Sequence, residues 1–345
     1  MKLVNVVRPA LVDLPKTVHG GMAWKLQGIE EFSHNLNPFG PPPELPEIVA
    51  EAVPSVHHYP DDSCRLLKEA ISDVYHVDNQ NIIVGAGSSD LIRLFPHVFL
   101  NPGDRVLMPR PTFAEYSQQC AIAGGKINDL LLLETDDFRV SKETISHRLT
   151  PSTRILYICN PNNPTGRVES RDKILEIVKD CRRKDVLVFL DETLLDMVKG
   201  HEGISCVPFI NDHDNLFIAS SLTKSFAIPG IRIGFGFGSP EIIDYMDRAR
   251  MTWNVGAMEQ HVATVLLRDH MDHVRKATDL MHSESRWLHS ELKKLGFPIA
   301  DLSDSYFYFS SLQSLKTSGK EFQERMQYQG IMVRDCASFG RPFDR

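Results

Sequence analysis

Lys224 and Arg232 stand eight residues apart in S-S-L-T-K-S-F-A-I-P-G-I-R-I-G, the stretch from Ser220 to Gly234, with Pro229 and Gly230 turning the chain between them. A side-chain amine can form a Schiff base with a carbonyl group, and a guanidinium offers a fixed fork of donors to a phosphate dianion. By itself this spacing also suits two solvated residues on a loop. Here four hydroxyls, on Ser220, Ser221, Thr223 and Ser225, crowd the lysine, and hydroxyls with backbone N–H groups are what a phosphate needs. A phosphorylated aldehyde matches both demands, and pyridoxal 5′-phosphate is a cofactor of that kind.

Other residues fit around such a cofactor. Asp191 closes the apolar run V-L-V-F-L, which puts a poorly solvated carboxylate at a strand end. A carboxylate there wants a cation, and a protonated pyridine nitrogen supplies one. Capping a turn or helix is the other reading of that aspartate. Asn163, in N-P-N-N-P-T-G, sits between two prolines that stiffen its loop, where its amide could donate to the ring oxygen. Gly85, Gly87, Ser88 and Ser89 form a small-residue turn ahead of an apolar helical pattern, a cradle for phosphate at a helix N-terminus. Gly-Ser turns are common, so this turn gains meaning only from its company. Phe113, just after P-R-P-T, could stack on the pyridine ring or serve as plain core.

These residues need a scaffold that brings them together. Short apolar runs at 82–84, 105–108, 130–133, 155–158, 186–190, 216–219 and 233–237 read as strands, and helical patterns cover 64–75, 89–99, 113–123 and 171–183. That alternation predicts an α/β fold with a mostly parallel sheet between two helical layers. Ligands of such sheets lie at the carboxyl ends of the strands, and every motif above follows a run. Beyond about residue 240 the texture changes to long helical stretches, 259–268 and 273–294, then apolar segments at 306–310 and 331–333. The expected organisation is an N-terminal arm over 1–45, a large cofactor-binding domain over 46–240 and a smaller C-terminal α/β domain over 241–345.

The totals limit the partners. The 345 residues are 42% hydrophobic and 24% charged, ordinary for a globular chain with a sizeable core. A formal charge of -7, with 45 acidic against 38 basic residues and no basic cluster, argues against nucleic acid and against an anionic membrane. Six scattered cysteines without metal spacing predict a reduced, cytoplasmic protein with no metal site. No signal peptide or spanning helix is expected from the hydropathy pattern.

Taken together, the motifs resemble the fold type I pyridoxal-phosphate enzymes, within them the branch that holds histidinol-phosphate aminotransferase and threonine-phosphate decarboxylase. The resemblance spans essentially the whole chain. It implies Lys224 as the Schiff-base lysine, Asp191 as the partner of the pyridine nitrogen, Asn163 as the donor to the ring oxygen and Phe113 as the stacking aromatic. It implies Gly87, Ser88, Ser221 and Arg232 as phosphate ligands, with Thr223 close by. In that family the active site lies at a dimer interface, and Tyr59 of H-H-Y-P resembles the tyrosine that reaches the neighbouring subunit's phosphate, so a homodimer is implied.

H-G-G at 19–21 and F-S-H-N-L-N-P-F-G-P-P from Phe32 are similar to the opening of threonine-phosphate decarboxylases. F-A-E-Y at 113–116 and M-V-R-D-C-A-S-F at 332–339 point the same way. By that resemblance His19, Asn35 and Arg334 face the substrate, Arg334 pairing with its carboxylate or phosphate. Leu194 stands where the aminotransferase has a tyrosine. The family also carries a further arginine, in an R-V-A-I-R-like strand, and a closing helix shortly after the position of Arg345. The expectation is a truncated sequence or an incomplete small domain, unless Arg341 or Arg345 substitutes. The implied reaction is decarboxylation of O-phospho-L-threonine to (R)-1-amino-2-propanol phosphate for cobalamin biosynthesis. A histidinol-phosphate-type aminotransferase, a phosphoserine decarboxylase and a non-catalytic cofactor-binding subunit remain the alternatives.

Overall fold

The computed structural model describes residues 2–12, 14–15, 25–297, 299 and 302–339; His19, Arg341 and Arg345 lie outside the described residues. Its strands are β1 (Glu30–Glu31), β2 (Ile82–Gly85), β3 (Arg105–Arg110), β4 (Lys126–Leu131), β5 (Thr153–Cys159), β6 (Leu187–Asp191), β7 (Leu216–Ser220), β8 (Gly234–Gly238) and β9 (Ile331–Met332). The helices are α1 (Pro9–Val12), α2 (Leu45–Ala52), α3 (Arg65–Tyr75), α4 (Ser88–Phe99), α5 (Ala114–Ile122), α6 (Lys142–Arg148), α7 (Arg171–Arg182), α8 (Leu222–Ser225), α9 (Pro240–Ala249), α10 (Ala257–Asp269), α11 (Met271–Lys294) and α12 (Gly319–Tyr328).

Seven strands form one sheet in the order β2-β8-β7-β6-β5-β3-β4. Strand β8 runs antiparallel to both neighbours, and the other pairings are parallel. Each of the seven apolar runs in the sequence meets one of these strands. Only the run at 130–133 is displaced, because β4 begins at Lys126. As an edge strand β4 pairs with β3 alone, in a register from Arg105 against Lys126 to Arg110 against Leu131. An edge strand tolerates polar residues such as Lys126, Asn128 and Asp129, so its apolar residues mark its end and not its start.

Side chains alternate across the central strands, and this period of two divides the core. Val84, Leu107, Leu156, Ile158, Val188 and Ile218 pack on one face with Leu67 and Ile71 of α3, Ile174 of α7 and Val262 of α10. Ile83, Val106, Ile155, Tyr157, Phe189 and Phe217 pack on the other with Phe95 of α4, Tyr116 of α5 and Met246 of α9. The second face is rich in rings. Phe189 lies 5.2 Å from Phe95, 4.8 Å from Tyr157 and 5.4 Å from Phe217, centroid to centroid, within the range where aromatic pairs attract.

The first 45 residues carry no periodicity, yet β1 forms there by pairing in parallel with β9, Glu30 opposite Ile331 and Glu31 opposite Met332. The partner strand supplies what the local sequence lacks. Of the apolar segment 306–310, only Ser310 makes a β-bridge, to Ile299. The preceding residues are tied to the loops of the large sheet. Arg139 Nη2 donates to Asp304 Oδ2 at 2.6 Å, the Val168 N–H donates to the same oxygen at 3.0 Å, and Arg167 Nη1 donates to the Leu302 carbonyl at 2.8 Å.

Phe189 is fully buried among these rings, and its neighbours are held by the sheet and cannot close over a void. Phe189→Ala is expected to cost about 3–5 kcal/mol of stability. Urea unfolding followed by far-ultraviolet dichroism checks this, and an unchanged midpoint would show that the aromatic face is not a packed core.

Candidate active site

The sheet register assembles the site. Cys159 is paired with Asp191 and Asp191 with Ala219 at the carboxyl edge of three parallel strands. Ser220 ends β7 opposite Phe235 of the antiparallel β8, and Gly234 at the start of β8 faces Gly85 at the end of β2. Six segments therefore open on one edge: 85–88, 111–113, 159–163, 191–194, 220–225 and 232–234. The backbone extends the ladder there, with the Asn160 N–H donating to the Asp191 carbonyl and the Glu192 N–H to the Ala219 carbonyl, each at 2.9 Å.

Lys224 lies in α8, a single turn capped by Ser221, whose Oγ accepts from the Thr223 N–H at 3.1 Å. Burial, and secondarily the guanidinium of Arg232, lowers the lysine's pKa below its ordinary value. A larger share of the amine is then unprotonated and nucleophilic at neutral pH. The Lys224 carbonyl accepts from the Asn37 N–H at 3.0 Å, and Asn37 Nδ2 donates to the Ser225 carbonyl at 2.8 Å. Buried Asn37 so clamps the N-terminal segment onto the lysine turn.

Arg232 is anchored through Nη1 to the Pro229 carbonyl at 3.2 Å. Its other face lies against Gly87, where an added Cβ would come within 2.5 Å of Nη2. Gly87 also has φ +82°, so glycine alone lets the guanidinium approach the turn that opens α4. Gly234 meets the same turn from the other side, where a Cβ would collide with the backbone of Gly87 and Ser88. Two glycines thus bring an arginine and a helix N-terminus together, an arrangement suited to a phosphate dianion. The hydroxyls of Ser221 and Thr223 point to the Ile233 carbonyl, at 2.9 and 3.3 Å, beside this cradle. Either must rotate to donate to an anion.

Asp191 is buried, and desolvation raises its pKa against the pull of the hydrogen bonds it accepts. Oδ2 accepts from Tyr116 Oη at 2.6 Å and Oδ1 from the Thr193 N–H at 2.9 Å. Among the described residues no cation pairs with it. Phe113 precedes α5 and its ring meets that of Tyr116 edge-on at 5.6 Å. Asn163 is half-buried beyond the strand edge, while its neighbour Asn162 is committed to the Pro111 carbonyl and Thr165 Oγ1, each at 3.0 Å. Leu194 is buried on the loop that follows Asp191. Glu192, on that loop, accepts from Ser205 Oγ at 2.6 Å and the Cys206 N–H at 2.9 Å, and burial pushes its pKa up to about 7.

The two described residues expected at the substrate arrive by way of the β1–β9 pair. The Phe32 N–H donates to the Met332 carbonyl at 2.8 Å, and the Asn35 carbonyl accepts from Tyr306 Oη at 3.4 Å. Asn35 is two residues from the Asn37 clamp. Arg334 is two residues beyond β9; Nη2 donates to Ser338 Oγ at 2.9 Å, and the guanidinium lies 5.8 Å from the centre of the Phe339 ring. Tyr59 stands apart, 77% exposed and stacked on Trp253 at 4.1 Å. Sequence reading overlooked Tyr116 and Asn37. Tyr116 follows Phe113 by one helical turn, the spacing that puts two rings on one face, and Asn37 stands before Pro38, where asparagine turns the chain.

The buried carboxylate with no cation among the described residues, the desolvated lysine and the Gly87–Arg232 cradle fit the ring nitrogen, aldehyde and phosphate of pyridoxal 5′-phosphate. Comparison with known proteins agrees. The family model described as aminotransferase class I and II matches residues 28–343. A protein of Caldanaerobacter subterraneus subsp. tengcongensis, provisionally named a threonine-phosphate decarboxylase, is 32% identical over 305 residues, 88% of this chain and 81% of that protein. Histidinol-phosphate aminotransferase of Ruminiclostridium cellulolyticum is 31% identical over 309 residues, 88% of this chain and 83% of that enzyme. The crystal structure of histidinol-phosphate aminotransferase from Clostridium acetobutylicum superposes with a TM-score of 0.81 at 24% identity, covering 91% of each chain.

If Arg232 holds the cofactor phosphate, Arg232→Ala removes a charge-assisted contact worth about 1.5–3 kcal/mol. The cofactor dissociation constant, read by equilibrium dialysis, is expected to rise roughly 10-fold to 100-fold. An unchanged constant would take Arg232 out of the phosphate site.

Proposed function

This chain belongs to the aminotransferase class I and II family, a family of pyridoxal-phosphate enzymes, and on that premise we propose that it decarboxylates O-phospho-L-threonine to (R)-1-amino-2-propanol phosphate. The observation that carries the decarboxylase reading is buried, apolar Leu194 on the loop after Asp191, the place where the related aminotransferases have a tyrosine. The ring oxygen then has one hydrogen-bond partner fewer. The similarity to the Caldanaerobacter protein adds support.

In this reading Gly87, Ser88, Ser221, Thr223 and Arg232 hold the phosphate, Asn163 the ring oxygen, Phe113 one face of the ring and Asp191 the protonated ring nitrogen. Bound there, the cofactor supplies an electron sink for the pair left at the substrate Cα. The chain's task is orientation. The cation that fixes the substrate carboxylate or phosphate would decide which Cα bond is presented for cleavage. Arg334 has that role; burial lowers its pKa, yet a guanidinium keeps its charge at neutral pH. Asn35 and His19 complete the substrate contacts. With the electron pair held in that sink, carbon dioxide would leave from Cα and the Lys224 ammonium would supply the proton that replaces it. The reading includes a homodimer in which exposed Tyr59 reaches the partner's cofactor phosphate, and a cytoplasmic place in cobalamin synthesis.

A second reading has a specific observation behind it, because several further relatives are histidinol-phosphate aminotransferases at 27–31% identity. There Lys224 would move the Cα proton to the cofactor, and a keto acid would be required. One methyl group separates phosphothreonine from phosphoserine, a difference of about 1–3 kcal/mol in a pocket.

The loaded protein, incubated with O-phospho-L-threonine and no keto acid, is expected to yield 1-amino-2-propanol phosphate by mass spectrometry and to sediment as a dimer. Lys224→Ala is expected to abolish both turnover and the visible band of lysine-bound cofactor. Product only from histidinol phosphate with 2-oxoglutarate would replace the decarboxylase reading with the aminotransferase one.

A further inference from the structure

Asp191 is bonded to Tyr116, a residue that the reaction described above leaves unused. Tyr116, on α5, is fully buried, and its ring stacks on Tyr157 at 5.1 Å while meeting Phe113 edge-on at 5.6 Å. Its hydroxyl donates to Asp191 Oδ2 at 2.6 Å, the short end of the range for a charge-assisted O–H···O bond. The other oxygen, Oδ1, accepts from the Thr193 N–H. Among the described residues the remaining titratable group facing this carboxylate is the Cys159 thiol on β5, whose pKa burial pushes up to about 12, leaving it neutral. One phenol therefore contacts both the carboxylate assigned to the ring nitrogen and the ring assigned to the face of the pyridine.

We propose that Tyr116 is a positioning residue that sets the proton affinity of Asp191 through its 2.6 Å hydrogen bond and so keeps the cofactor proton on the ring nitrogen. This rests on the reading that Asp191 faces that nitrogen. A carboxylate in a dry site binds protons tightly, because burial penalises its charged form. With Thr193 as its remaining partner, Asp191 would compete more strongly with the pyridine nitrogen for the shared proton. The phenol stabilises the charged carboxylate and lowers its basicity, which leaves the proton, and the positive charge, on the ring. That charge in turn makes the imine at Lys224 easier to deprotonate. Burial raises the Tyr116 pKa well above the ordinary phenol value, so the group remains a donor at neutral pH.

The test is a spectroscopic titration of the imine band in the cofactor-loaded protein, alongside steady-state kinetics. Tyr116→Phe keeps the ring and removes only the donor, so the imine pKa is expected to rise by roughly half a unit, part of the one unit or so that a hydrogen bond to a charged group is worth at the carboxylate. The kcat is expected to fall roughly tenfold with KM nearly unchanged. Tyr116→3-fluorotyrosine, a stronger donor of the same shape, is expected to move the imine pKa downward, and it decides the matter alone if the phenylalanine variant does not fold. Tyr157→Phe removes a buried hydroxyl from the neighbouring ring and is expected to leave the imine pKa in place. Asp191→Asn separates the two claims, since losing the carboxylate is expected to raise the imine pKa further. A shift in Asp191→Asn with none in either Tyr116 variant would overturn the role of Tyr116 and leave Asp191 at the nitrogen. No shift in any of the three would overturn both.

Discussion

Parallel pairing of β5, β6 and β7 places Cys159, Asp191 and Ala219 side by side at one edge, and this register is the constraint from which the site follows. A slip of one residue in β6 would turn Asp191 to the opposite face and bring Leu190 in its place. The slip is prevented by the core, because Val188 and Leu190 must face one helical layer and Phe189 the other. The hydrophobic pattern that folds the sheet is thus also what aims the carboxylate. The antiparallel β8 then brings Gly234 and Arg232 back to the same edge, beside Gly87.

Such a site is costly to assemble. Asp191, Lys224 and Glu192 are ionisable groups in poor contact with water, and each has its pKa moved toward the neutral form by desolvation. For the two carboxyl groups the sign follows directly: folded pKa values above the unfolded ones mean that stability is lost as pH rises through the window between them, which for Glu192 runs from 4.5 to about 7. The fold offsets part of this with donors. Tyr116 and the Thr193 N–H serve Asp191, while Ser205 and the Cys206 N–H serve Glu192. What remains unsatisfied is complementary to a ligand: Asp191 has no cation among the described residues, desolvation favours the nucleophilic form of Lys224, and Arg232 leans on a glycine turn. A cofactor with a protonated ring nitrogen, an aldehyde and a phosphate would relieve all three.

Much of this was legible in the sequence, for reasons that differ by element. Central strands announce themselves because both faces are buried, and V-L-V-F-L ending in aspartate points to the sheet edge from composition alone. Lys224 stood out through its hydroxyl neighbours, and Gly87 through its place before an apolar helix. The edge strand β4 was displaced because one open side removes the apolar signal at its start. The β1–β9 pair was illegible, since two residues have no periodicity and pairing partners 300 residues apart leave no local trace. Tyr116 was visible as a residue but not as a partner of Asp191, because they meet across 75 positions of chain. Its role became readable only once the sheet had fixed where that carboxylate lies.

In the proposed site, buried Asp191 would stay charged because a protonated ring nitrogen faces it. Loading the protein with pyridoxal phosphate labelled with nitrogen-15 in the ring, and recording that nitrogen's chemical shift at neutral pH, tests this directly. The expected shift is that of a pyridinium, moving toward neutral pyridine in Asp191→Asn. A neutral pyridine shift in the unaltered protein would contradict it.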